Sequence, residues 1–198
     1  MSRWDGVTIT LPDGRALRSG PATADRVDDV RAVLGERGAG GCWCLWWRQR
    51  GDAWKATAPA ARKEMLAALT AEPTPPGVLA YLDDRPVGWC AVAPRDAYPR
   101  MQSSATFGPV DDTPVWAVSC LFIHRTARRQ GVGAALVEAA VAMATAHGAP
   151  AVEGIPVVPG GQRSPDLYTG VPSMFEPLGF TEIARRKPDR PIVRLAVR

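Results

Sequence analysis

Residues 124–136, H-R-T-A-R-R-Q-G-V-G-A-A-L, join an apolar run, V-W-A-V-S-C-L-F-I, to an alanine-rich run, V-E-A-A-V-A-M-A-T-A-H-G. The residue types suit anion binding. Glycines at 131 and 133 let the backbone curl without Cβ obstruction, so successive N–H groups converge at the start of the following helix. Arg128 and Arg129 add positive charge. The anion expected at such a junction is a phosphate, and the rest of the chain must say whose.

A nucleoside triphosphate is excluded, because no G-x-x-x-x-G-K-[ST] occurs in the chain. A dinucleotide fits poorly. Gly131-x-Gly133 follows a strand, and Glu153 falls where a ribose-binding acid could lie, but the third glycine position is Leu136. Seven residues separate Ile123 from Gly131, and too little chain follows for the remaining βα units. A nucleic acid is not expected either. The net charge is only +4, and the basic clusters are confined to Arg125, Arg128 and Arg129 and to Arg185, Arg186 and Lys187.

The remaining pattern is strand, basic loop, R-x-x-G-x-G, helix. L-F-I-H-R-T-A-R-R-Q-G-V-G-A-A-L resembles the pyrophosphate-binding motif of the GCN5-related N-acetyltransferases, which bind acetyl-CoA. F-E-P-L-G-F, residues 175–180, resembles a later signature of that family, a helix ending in Leu-Gly-Phe before the last strands. The resemblance covers most of the chain and both motifs fall in the family order. It implies an α+β, three-layer fold, with a mostly antiparallel mixed sheet splayed between the fourth and fifth strands and helices on both faces. It further implies transfer of an acetyl group from the thioester of acetyl-CoA, as co-substrate and without a metal, to a primary amine by direct attack.

Position by position, the resemblance gives the pyrophosphate to the amides of Arg129, Gln130, Gly131, Val132, Gly133 and Ala134, with Arg128 adding charge. Leu121, Phe122 and Ile123 would run along the pantetheine arm, and an N–H near Leu121 could polarise the thioester carbonyl. Glu153, in A-V-E-G-I, matches the strand position from which several members use a glutamate as base. An amine resembling lysine has a pKa near ~10.4 and needs such help at neutral pH. The alternative for Glu153 is an ordinary solvent-facing strand carboxylate.

The chain departs from the family at Phe175, where a tyrosine often serves as general acid and contacts the cofactor. A positioned acid is worth roughly 10²–10⁴-fold, so its loss lowers the rate without abolishing it. Tyr168, Ser173, Cys120 or water are the candidate substitutes. Cys120 as a nucleophile lacks a recognisable histidine partner. Phe175 also motivates the alternative function, a non-catalytic acyl-CoA-binding sensor.

The positioning elements follow from periodicity and turn chemistry. V-T-I-T and R-A-L-R form a hairpin around L-P-D-G. Thr23 and Thr57 are expected to cap two helices, the first with Val27, Val30 and Leu34 on one face. G-V-L-A-Y-L and P-V-G-W-C-A-V-A form a second hairpin, and Pro94 to Pro114 a long loop. A buried strand, a helix closed by Gly148, the strand A-P-A-V-E-G-I-P-V, a short helix at P-S-M-F-E-P-L-G and final strands follow. The expected organisation is one domain over 1–198, with an acceptor-side region over about 1–72 and a coenzyme A core over about 77–198.

Trp46, Trp47 and Tyr98 are expected to line the acceptor cleft, since aromatic walls suit an apolar or cationic group. Cys42 and Cys44 form one C-x-C pair only, short of a structural zinc set, and are read as reduced thiols packed among tryptophans. M-S-R-W-D-G-V-T-I-T has no apolar leader core, and Glu138 interrupts the longest alanine-rich stretch, so a cytoplasmic protein without a membrane span is expected. Its partners would be coenzyme A and a small-molecule amine, with a second copy of the chain as a candidate.

Overall fold

The computed structural model describes residues 5–161 and 163–197. Eight strands form one sheet in the order β1-β2-β3-β4-β5-β6-β8-β7. They are β1 (Val7–Thr10), β2 (Ala16–Pro21), β3 (Gly77–Leu82), β4 (Arg85–Pro94), β5 (Trp116–Ile123), β6 (Ala151–Gly154), β7 (Thr181–Lys187) and β8 (Arg190–Ala196). All neighbours run antiparallel except β5 and β6, which are parallel. The strands that splay are the fifth and sixth here, counting both strands of the front hairpin as β1 and β2, and not the fourth and fifth as expected.

The helices are α1 (Val27–Leu34), α2 (Gly38–Gly41), α3 (Gly51–Ala56), α4 (Pro59–Leu69), α5 (Pro99–Gln102) and α6 (Val132–Ala146). Alanine supplies the propensity of α6, and its length is apolar nearly all round, so it can form only as a buried helix. It packs across one face of the sheet against Val78, Ala80, Cys90, Val92 and Val118. The opposite face is covered by α1 and the Trp43–Cys44 segment, which meet Leu79, Trp89, Ala91 and Cys120. Cover on both faces explains why β5 is apolar at every position but Ser119 instead of alternating. Among the described residues no helix is long and apolar enough to cross a membrane.

Local chemistry moved some expected boundaries. Thr23 precedes a 3₁₀ turn at Ala24–Arg26, and its side chain makes no capping bond. Helix α4 starts at Pro59, whose fixed φ and missing N–H suit the first helical position. Thr57 instead ends α3, donating its hydroxyl to the Ala53 carbonyl at 2.7 Å. The expected helix at 172–179 is two 3₁₀ turns, Pro172–Met174 and Glu176–Leu178, because each proline restarts the hydrogen-bond ladder. The loop from Pro94 to Pro114 carries a 3₁₀ turn, Arg95–Ala97, and α5.

Candidate active site

The site begins where two ladders change. Between β4 and β5 the register shifts, Ala91 facing Cys120 and Val92 facing Val118, so Ser119 is the extra residue of a bulge. A bulge re-aims the groups beyond it. Between β5 and β6 pairing stops at Val118–Gly154, after only three residue pairs. Beyond that point β5 continues to Ile123 while the other strand departs.

At the far end of β5 the chain passes Arg125–Ala127 and reaches the glycine bend. Arg129 (φ 60°) and Gly131 (φ 85°) both lie in the left-handed region, and Gly131 caps α6. No side chain caps this helix, so the first-turn N–H groups are donors available to an anion. The bend is braced from outside. A Cβ on Gly131 would come within 2.6 Å of Pro12 Cδ, and one on Gly133 within 2.8 Å of the Met174 methyl. Gln130 is pinned by its own Nε2, which donates to the Thr126 carbonyl at 2.8 Å, and by Arg15, which donates to its Oε1 at 2.6 Å. Arg128 Nε donates to the Ile123 carbonyl at 3.0 Å, tying the loop to the strand end.

The gap between the diverging strands is bridged by Leu167–Gly170. The Leu121 amide donates to the Tyr168 carbonyl at 2.6 Å, and the Val157 amide to the Gly170 carbonyl at 2.9 Å. Phe175 wedges this region on the α6 side. It is wholly buried, packs edge-on to Phe180 at 5.3 Å, and lies so close to Gly154 that a Cβ there would stand 2.3 Å from its ring.

Cys120, Leu121 and Tyr168 thus converge on the gap. The half-buried Tyr168 packs on the Cys120 side of the sheet and also joins the cluster of Trp47, Tyr98 and Ile155. Burial, and next the Cys120 thiol, push its hydroxyl up to about 12. The buried Cys120 sulfur lies 3.4 Å from Cys44, whose sulfur in turn accepts from the Trp89 indole N–H at 3.1 Å. Of the four cysteines none is bonded to another. Ser173 is exposed on the turn Pro172–Met174. Phe122 and Ile123 are half-buried and lean to opposite faces, towards the Trp89 and α6 clusters.

Glu153 does not face solvent, contrary to the alternative reading of the sequence. It is 1% exposed, accepts from Arg95 through Oε2, and accepts from Arg194 through Oε1 at 2.6 and 2.9 Å. Arg194 also grips Asp111 at 2.7 and 3.0 Å, and Arg95 donates to the Phe107 carbonyl at 2.8 Å. The Arg194 pairing holds the Asp111 carboxyl well below the ordinary range. A cavity of about 450 Å³ beside this network is lined by Arg95, Asp111, Trp116, His147 and Pro150, at the paired end of β5 and β6. The network joins positions far apart in the chain, and nothing local in the sequence signals it.

The described residues thus combine a mixed sheet opened at one parallel pair, a bulge at the opening, and a glycine-bent helix N-terminus at the strand's end. That combination defines the acetyltransferase class. The chain belongs to the Acetyltransferase (GNAT) family, whose model matches residues 41–170. Solved structures agree in fold. The GNAT domain of S. lividans PAT is 14% identical with a TM-score of 0.58, over 97% of each chain. Mycobacterium smegmatis RimJ, in complex with CoA-disulfide, is 12% identical with a TM-score of 0.58, over 97% of this chain and 87% of that one. The putative acetyltransferase yncA from Salmonella typhimurium, solved with acetyl-CoA, is 13% identical with a TM-score of 0.52, over 91% and 93%. No curated protein matches the chain in sequence.

Proposed function

We propose that this chain is an N-acetyltransferase that takes the acetyl group from acetyl-CoA and passes it directly to the primary amine of a small molecule. The observation that carries the reading is the junction of an uncapped helix N-terminus at Gly131 with a strand whose parallel partner leaves it after Val118. The amides of Arg129 to Ala134 would hold the pyrophosphate, helped by Arg128 and Arg129. Leu121 to Ile123 would lie along the arm, with Leu121 N–H exchanging its bond to Tyr168 for one to the ligand. Acetyl-CoA supplies the activated acyl group, and the protein orients it.

Tyr168 is the donor we assign to the leaving thiolate. It lies beside Cys120 at the gap and keeps its proton at neutral pH. Phe175 has no proton to give and serves as the wedge that keeps the strands apart. Cys120 is read as a packing thiol, because its neighbour is Cys44 and not a base. Glu153 is read as a structural carboxylate, since both its oxygens are held by arginines. Deprotonation of the amine is then left to water in the cleft. A thiolate of pKa near ~8.5 is a tolerable leaving group, so one donor suffices.

The test is thiol release from acetyl-CoA with a panel of amines. Release accelerated by an amine, with the acetylated product found by mass spectrometry, supports the reading. Slow hydrolysis that no amine accelerates favours the acyl-CoA sensor, the second reading, which the absence of a hydroxyl at Phe175 motivates.

A further inference from the structure

On the face of the sheet opposite α6, the loop residues Trp46–Gln49 and helix α5 lie together beside the gap. The Arg100 amide donates to the Trp47 carbonyl at 3.2 Å, and its Nε to the Gln49 carbonyl at 2.8 Å. This leaves the Arg100 guanidinium stacked 3.8 Å over the Trp46 ring. The Arg48 guanidinium stands 4.9 Å over the Tyr98 ring. Both arginines are half-buried, and neither is ion-paired with a carboxylate among the described residues.

Beneath them are two buried donors without partners, the Trp47 indole N–H and the Tyr98 hydroxyl. Ser119, the bulge residue, is close enough to act on the Tyr98 hydroxyl but makes no aligned bond to it, its own hydroxyl reaching towards the Ala91 carbonyl at 3.4 Å. Trp47 and Tyr98 share one apolar cluster with Ala117 and Ile155, the residues flanking the end of the parallel pair. Charge, planar stacking and buried donors therefore converge within reach of the bulge.

Arg100 spends its Nε on the Gln49 carbonyl, which leaves its terminal nitrogens, and the Arg48 fork stacked on Tyr98, to meet a planar anion. A buried indole N–H is costly to leave unsatisfied until something accepts from it. We propose that the acceptor is an amine that also carries a carboxylate, which Arg48 and Arg100 would bind with the Trp47 indole N–H and the Tyr98 hydroxyl beneath. This rests on the acetyltransferase reading and names its substrate class. Two of the aromatic walls read from the sequence as suiting an apolar or cationic group, Trp46 and Tyr98, already carry the protein's own arginines, so the charge presented there is positive.

The probe is a set of free amino acids, each assayed beside its methyl ester and its phosphonate analogue. The acid is expected to exceed its ester in kcat/KM, and Arg48→Gln and Arg100→Gln are each expected to cut that acid-to-ester ratio about 10- to 100-fold, the worth of a charge-assisted hydrogen bond. A ratio within one preparation does not depend on the folded fraction, so a destabilised variant still reports. Equal turnover of acid and ester, ratios unmoved by either variant, or a preference for the phosphonate would each overturn the carboxylate assignment while leaving acetyl transfer intact. If no amine is acetylated, the catalytic reading fails separately. Calorimetric binding of the same amino acids in the presence of coenzyme A, lost in Arg48→Gln, would then uphold the anion site, and no binding would overturn it.

Discussion

The amide of Leu121 and the carbonyl of Tyr168 meet at 2.6 Å across the opening between β5 and the strand that leaves it. The strand edge that a pantetheine arm would use is thus satisfied internally, and a ligand must compete with the Leu167–Gly170 segment for it. Buried amides rarely stay unpaired, so an internal stand-in for the ligand is physically reasonable.

That competition is measurable. Gly170 sits at φ 85°, and a Cβ there would approach Leu121 and Phe175 to 2.9 Å. Gly170→Ala should unseat the segment at a cost of about 1 kcal/mol. Because apparent affinity scales with the fraction of molecules already open, coenzyme A should bind up to about 5-fold tighter. Calorimetry showing unchanged or weaker binding would mean that the segment does not block the arm.

The glycine bend carries its own prediction. Gly131→Val places a β-branched residue at φ 85° and against Pro12, costing roughly 1–2 kcal/mol of backbone strain and turning the first-turn amides away from the anion. Coenzyme A affinity should fall at least about 10-fold while the circular dichroism spectrum stays that of the parent. An unchanged dissociation constant by calorimetry would remove the loop from the binding site.

Glu153 separates a structural from a catalytic role. Glu153→Gln leaves Arg95 and Arg194 without their shared carboxylate, and breaking a buried pair costs about 3–5 kcal/mol. The melting temperature should drop strongly while the pH profile of the remaining activity keeps its shape. A stable variant whose rate loss is greatest at neutral pH and fades at high pH would restore Glu153 as the base.

Tyr168 gives two pH statements. Its folded value of about 12 exceeds the unfolded value of about 10, so the native state holds the proton more tightly. That contribution to stability is complete below pH 10 and is lost as pH rises from there through about 12. Activity should climb with pH as the amine deprotonates and show no decline before about pH 10. Tyr168→Phe should lower kcat by about 10²-fold or more at every pH in that range, and a fall below 3-fold would acquit the hydroxyl.

The order of elements, and the glycine bend at which an anion site is proposed, were legible along the chain. The signals were local, two glycines at a strand-to-helix junction, a strand apolar but for Ser119, and a Leu-Gly-Phe ending before the last strands. Such features are written in neighbouring residues, and neighbouring residues were enough to infer them. Glu153 was legible as a strand residue and illegible as a partner of Arg95 and Arg194, 58 and 41 positions away. The bulge at Ser119, the Leu121–Tyr168 bond and the stacking of Arg100 on Trp46 likewise depend on which distant segments meet. Tertiary packing decided these, because burial and pairing are properties of the space between segments and leave no pattern along either one.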